Sequence, residues 1–155
     1  MHLQNDLNLK KNLVVYISNL IQHRISEIKS EINDANESKK NESKSSAGDK
    51  YETSREMIQQ TLNNLETQLK KYELLLQDCK QINSNKNYSK IENGCLVKTN
   101  EYVFFIGIPL GKIEFENTSY YAISLDSPIG NALKNKKAKD SFTFLNKSIE
   151  ILMIV

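Results

Sequence analysis

The sequence predicts an α+β protein: an N-terminal antiparallel coiled-coil helical hairpin, followed by a small sheet domain with one short helix. Three observations carry this expectation. Apolar residues recur with a helical period over residues 4–38. A strict heptad seam follows between residues 58 and 76. Beyond residue 90 the chain turns to short β-branched and aromatic runs split by Asn, Gly and Pro.

In the first helix, Val14, Ile17, Ile21, Ile25, Ile28 and Ile32 step by three or four, and Leu13 and Leu20 widen the stripe. Lys11, Asn19, Gln22, Lys29 and Glu31 occupy the opposite face, and neither Gly nor Pro interrupts the run. After Asn33 the stripe fades, although Ala35, Glu37 and Lys39 still favour helix. Residues 40–48, small and polar, have turn chemistry. In the second helix Ile58, Leu62, Leu65, Leu69, Tyr72 and Leu76 alternate steps of four and three. Neither helix buries its stripe alone, so the two are expected to zip together. At ~1.5 Å per residue, a helix of about 30 residues makes an arm of about 45 Å.

Residues 84–90 are expected to link this hairpin, residues 1–83 with its tip near 40–52, to a sheet domain at 91–155. The expected strands are Cys95–Thr99, Tyr102–Ile108, Tyr120–Ser124, Ser141–Leu145 and Ile149–Val155. A short helix near Ile129–Lys134 follows Ser127-Pro128, with Ser127 as its cap and Pro at the first helical position.

Composition narrows the function classes. The chain has 155 residues, 39% apolar and 26% charged, which suits an elongated protein with a modest core. A net charge of +2 from 21 basic and 19 acidic groups gives no bulk argument for nucleic-acid binding. The polar N-terminus predicts no secretory signal, and no run reaches the ~18 apolar residues of a membrane span. Cys79 and Cys95 are therefore expected to be free thiols in a reducing cytoplasm. His2 and His23 stand apart from other zinc ligands. No nucleophile paired with a base, and no phosphate-binding glycine loop, marks a self-sufficient enzyme.

Asp49 and Glu52, three apart after Gly48, have two readings. Asp-Lys-Tyr-Glu is close to a capping box, with Asp49 as the N-cap of the second helix and Glu52 favoured by the helix dipole. Alternatively the pair handles a metal. Two carboxylates supply two of the six oxygens that Mg²⁺ takes, so binding is weak unless a partner completes the shell. The nearby Lys44, Lys50 and Arg55, mixed with acids, form either a solvated loop or a contact with an RNA backbone or an acidic channel wall. Tyr51 is either an apolar contact of the helix or a stacking platform for a base.

The segment Ala-Ile-Ser-Leu-Asp-Ser-Pro-Ile-Gly-Asn-Ala-Leu (122–133), followed by Lys-Asn-Lys-Lys-Ala-Lys-Asp (134–140), resembles the Gre transcript-cleavage factors of bacterial RNA polymerase. Asn-Gly-Cys-Leu-Val (93–97) is similar to a strand of that family, and Gly48-Asp49-x-x-Glu52 to its tip motif. The resemblance implies an FKBP-like C-terminal domain that docks at the polymerase secondary channel through Ser124, Ser127, Pro128 and Ile129. It implies a hairpin whose tip acids, Asp49 and Glu52, help hold a Mg²⁺ ion shared with the polymerase while it cuts the 3′ end of backtracked RNA. A monomeric accessory factor, rather than an enzyme, is expected. Where the family carries Gly, this chain has Asn135 and Lys139, which predicts altered turns. Glu52-Thr-Ser-Arg-Glu56 also departs from the family after the tip, which keeps open a regulator that occupies the channel without promoting cleavage. A prolyl isomerase or chaperone is the third reading; the short sheet domain, with no Trp and no evident aromatic-lined pocket in its sequence, argues against it.

Overall fold

The structure, a computed structural model, describes residues 2–42 and 48–155, without the side chains of His2 and Asp49. It is α+β. Two long helices, α1 (His2–Glu42) and α2 (Gly48–Gln81), pack as a pair. Then come β1 (Leu96–Thr99), β2 (Val103–Ile106), β3 (Gly111–Phe115), β4 (Thr118–Ile123), α3 (Pro128–Leu133), β5 (Ser141–Phe144) and β6 (Lys147–Ile154). Five of these strands overlap the segments expected from sequence; β4 and β6 each begin two residues earlier than expected. β3 was not expected: Gly111-Lys112-Ile113-Glu114-Phe115 alternates polar and apolar residues, but over only two apolar positions.

The chain divides into two compact units, residues 18–77 and residues 1–17 with 78–155. In the first, Ile21, Ile25, Ile28, Leu62 and Leu65 are buried along the facing stripes. Arg24 Nη2 donates to Gln68 Oε1 at 3.4 Å, and Lys39 Nζ to Gln59 Oε1, across the pair. Two details of the expected stripes change. Leu20 is 37% exposed and does not widen the seam, whereas Leu75, outside the heptad, is buried while Leu76 is only half-buried. An α-helix of ~3.6 residues per turn drifts off a 3.5-residue repeat, and the buried stripe drifts with it.

In the second unit a six-stranded sheet runs in the order β3-β4-β2-β1-β6-β5. The β2–β4 pair is parallel, and the other pairs are antiparallel. Alternation along the strands makes two apolar faces. On one, Val97, Phe104, Ile106 and Ile151 form a core with Cys95, Ile91 and Leu133 of α3. On the other, Ile113 and Tyr120 are buried beside Phe115, whose ring lies 4.9 Å from that of Tyr16 in α1. Sulfur–carbonyl contact between Cys79 and Val14 (3.8 Å) ties the end of α2 to the same part of α1.

Residues 84–90 are more than a connector. Tyr88 is buried, with the ammonium groups of Lys10 and Lys86 over its ring at 4.7 and 4.5 Å from the centroid. Lys10, which the helical pattern did not single out, is 0% exposed and donates to the Lys86 carbonyl. The absence of an anionic partner among the described residues makes the ring face and the carbonyl its compensation for lost hydration.

The expectation of altered turns at Asn135 and Lys139 is corrected. Both residues adopt the left-handed backbone, at φ 63° and 74°. Long-range hydrogen bonds hold them there: Asn135 N to Ile91 O at 3.1 Å and Lys139 N to Ile151 O at 2.8 Å. The sheet imposes the turn, and the backbone bears the strain.

Candidate functional site

The acid pair lies in the first turn of α2. The helix already includes Gly48, whose φ is +46°, so Asp49 is a first-turn residue. The side chain of Asp49 and all of Lys44 lie outside the described residues. Carboxylates in a first turn are favoured by the positive end of the helix dipole whatever else they do.

Glu52 is exposed and lines an open groove of about 510 Å³ with Lys39, Arg55, Glu56 and Gln59. Glu56, one turn after Glu52, was absent from the expected site; the i, i+4 spacing was the signal that could have found it. The cations of the groove turn to neutral partners. Lys39 donates to Gln59, and Arg55 Nη1 donates to the Tyr51 hydroxyl at 3.3 Å. Tyr51 is half-buried, and Lys50 is exposed on the same turn. Among the described residues neither Glu52 nor Glu56 enters an ion pair.

Two hydrated carboxylates a turn apart are hard oxygen donors, suited to Mg²⁺ but too few to hold it. Among the described residues no group of three or more His, Cys, Asp or Glu gathers into a metal site.

The expected docking residues come together around α3. Ser127 caps the helix: its Oγ accepts from Gly130 N at 3.0 Å and donates to the Ser124 carbonyl at 2.7 Å. Ser124 Oγ accepts from Asp126 N at 3.1 Å. Pro128 starts the helix where its missing N–H is not needed. A Cβ on Gly130 would fall on the Ser124 carbonyl oxygen, so the turn closes only around glycine. Ser124, Ser127 and Pro128 thus shape the turn, and Ile129 is the member that reaches a concavity.

That concavity was not foreseen. It is a hollow of about 310 Å³ lined by Tyr102, Phe104, Tyr121, Ile123, Ile129, Phe144, Leu145, Lys147 and Ile149. The reading that the sheet domain lacks an aromatic-lined pocket is corrected. Aromatic residues at 102, 104, 142 and 144 alternate along two strands, but only the parallel register Phe104↔Tyr121 brings the third ring to them.

Both cysteines are free and buried. Burial pushes the Cys95 thiol up from 9.0 to about 11, and pushes Cys79 up as well. They are poor nucleophiles near neutral pH.

No family model, no curated protein and no solved structure matches the chain. Among the described residues no helix is long and apolar enough to cross a membrane.

Proposed function

We propose that the chain is a Gre-type, cytoplasmic transcription elongation factor that enters the secondary channel of RNA polymerase and stimulates cleavage of backtracked RNA. The observation that carries this reading is the position of the acids. Asp49 and Glu52 stand in the first turn of α2, next to the connection between two long packed helices, and Glu52 is exposed and enters no ion pair among the described residues. A long helical pair is a means of delivering such groups to a partner's active site. The Ser127-capped turn before α3, within the Ser-Pro-Ile-Gly segment, supports the same family reading.

In this reading Asp49 and Glu52 lend carboxylate oxygens to a Mg²⁺ ion whose remaining ligands belong to the polymerase, and the polymerase performs the hydrolysis. The ion would stabilise charge on the phosphate and lower the pKa of a bound water. Glu56 adds negative charge to the same groove, while Lys50 and Arg55 are placed to approach the RNA backbone.

The test is cleavage in a backtracked elongation complex with Mg²⁺. The wild-type chain should accelerate cleavage, and Asp49→Asn combined with Glu52→Gln should abolish the stimulation while binding to polymerase persists. Equal rates with and without the protein, alongside intact binding, would select the channel-occupying regulator instead. The basic residues Lys39 and Arg55 beside Glu52 are what favour that second reading, since they lower the negative potential available to a cation.

A further inference from the structure

β3 forms one edge of the sheet. It joins β4 through a two-residue turn, Glu116-Asn117, with both residues in the left-handed region at φ 48° and 60°. A turn of this kind is closed by a hydrogen-bonded pair, here Phe115 and Thr118, and bonded and non-bonded pairs alternate from there. Two bonds at the other end agree: Ala122 O accepts from Leu110 N on the β3 side, whereas Ile123 O accepts from Gly107 N on the β2 side. Gly111, Ile113 and Phe115 therefore direct their backbone groups at β4. Those of Lys112 and Glu114 point out of the sheet edge, and no other segment among the described residues takes them.

An open edge is a template for another strand, and the side chains here select which one. Lys112 and Glu114 are exposed, opposite in charge and on one face, while Ile113 between them is buried on the other. Lys112 Nζ lies 3.0 Å from Glu114 Oε1, and Ser119 Oγ donates to the same oxygen at 2.6 Å. A lone lysine would guard the edge. A lysine and a glutamate two residues apart make it self-complementary. When a second β3 runs antiparallel with Ile113 opposite Ile113, each Lys112 faces Glu114 of the other copy. These are the two positions whose backbone groups are free, so four N–H···O=C bonds and two cross-strand charge pairs form together. A shift of two residues either way sets Lys112 opposite Lys112 or Glu114 opposite Glu114, and a shift of one misaligns the free backbone groups. The opposite edge strand, β5, reads Ser-Phe-Thr-Phe and has no charges to fix such a register.

We propose that the β3 edge binds a second copy of this chain, antiparallel and centred on Ile113, and joins two six-stranded sheets into one. The interface is small, two strands of five residues each, so the pairing is weak, with a Kd of roughly millimolar, and the dilute chain stays monomeric. Asp49 and Glu52 take no part in it. This proposal goes beyond the cleavage reading, and the two fail separately.

The test uses the full chain, isotope-labelled, in NMR. As the wild-type concentration rises from micromolar to millimolar, the amide resonances of Lys112 and Glu114 should shift and translational diffusion should slow. The amide of Ile113, already bonded to β4, should move less. Lys112→Glu and Glu114→Lys each set like charges opposite one another, and each variant alone should pair about tenfold more weakly. Mixing the two variants restores opposite charges at both positions. Labelled Lys112→Glu should therefore pair with unlabelled Glu114→Lys at least as tightly as the wild type pairs with itself. Both positions are exposed, and unchanged resonances elsewhere show that the fold persists. Resonances of Lys112 and Glu114 that ignore dilution would overturn the proposal. So would single variants that pair like the wild type, or a mixture that fails to pair.

Discussion

Two residues show how the surroundings set the behaviour of a single side chain. Burial holds Cys95 protonated up to about 11, against 9.0 for an ordinary thiol, so the unfolded chain ionises first as pH rises. A raised thiol pKa contributes stability that is complete below 9 and lost through about 11, by an amount of roughly 2–3 kcal/mol. Urea titrations across that window should show a steeper loss in the wild type than in Cys95→Ala. Lys10, lowered by its own burial, acts in the opposite sense and interacts with the Cys95 thiol, so the difference reports the thiol together with that coupling. Lys139 is the second case. Its left-handed backbone costs a side chain about 1 kcal/mol that glycine avoids. Lys139→Gly should therefore raise the melting temperature, measured by circular dichroism.

At the scale of elements, α3 is short and depends on its cap. Ser127→Ala removes the bond to Gly130 N and should cost about 1 kcal/mol. Gly130→Ala should cost more, because the added Cβ meets the Ser124 carbonyl, which is backbone and cannot rotate away. Comparing the two variants by chemical denaturation separates loss of a cap from closure of the turn. Much of this element was legible in Ser127-Pro128, as were the two long helices, because periodicity and capping are local signals. β3 was not, since its two apolar residues, Ile113 and Phe115, gain meaning only from pairing with Tyr120 and Thr118 of β4. The hollow escaped for the same reason: its walls come from four strands, α3 and the β5–β6 turn, and cross-strand register is not written in any one segment. The acids were legible as a pair, but Glu56, one helical turn on, was hidden by attention to the motif alone.

At the scale of the whole molecule, residues 1–17 belong to the same compact unit as the sheet. Leu13, Tyr16 and Ile17 of α1 and Cys79 of α2 come from outside residues 84–155. A fragment of residues 84–155 would present the uncovered Phe115 and Tyr120 to water and lose the Lys10 contact with Lys86. Its thermal transition should broaden and fall well below that of the full chain. A fragment as stable as the parent would show that the start of α1 adds nothing to the sheet.

The walled-in ammonium of Lys10 also makes the protein its own recorder of opening. Amine-acylating reagents find most lysines on the surface and react with them freely. Lys10 becomes visible to them only when Tyr88 and the base of α1 come apart. Its labelling rate, followed by mass spectrometry, should lag behind every exposed lysine and rise in step with denaturant, timing the opening of that one joint without an added probe.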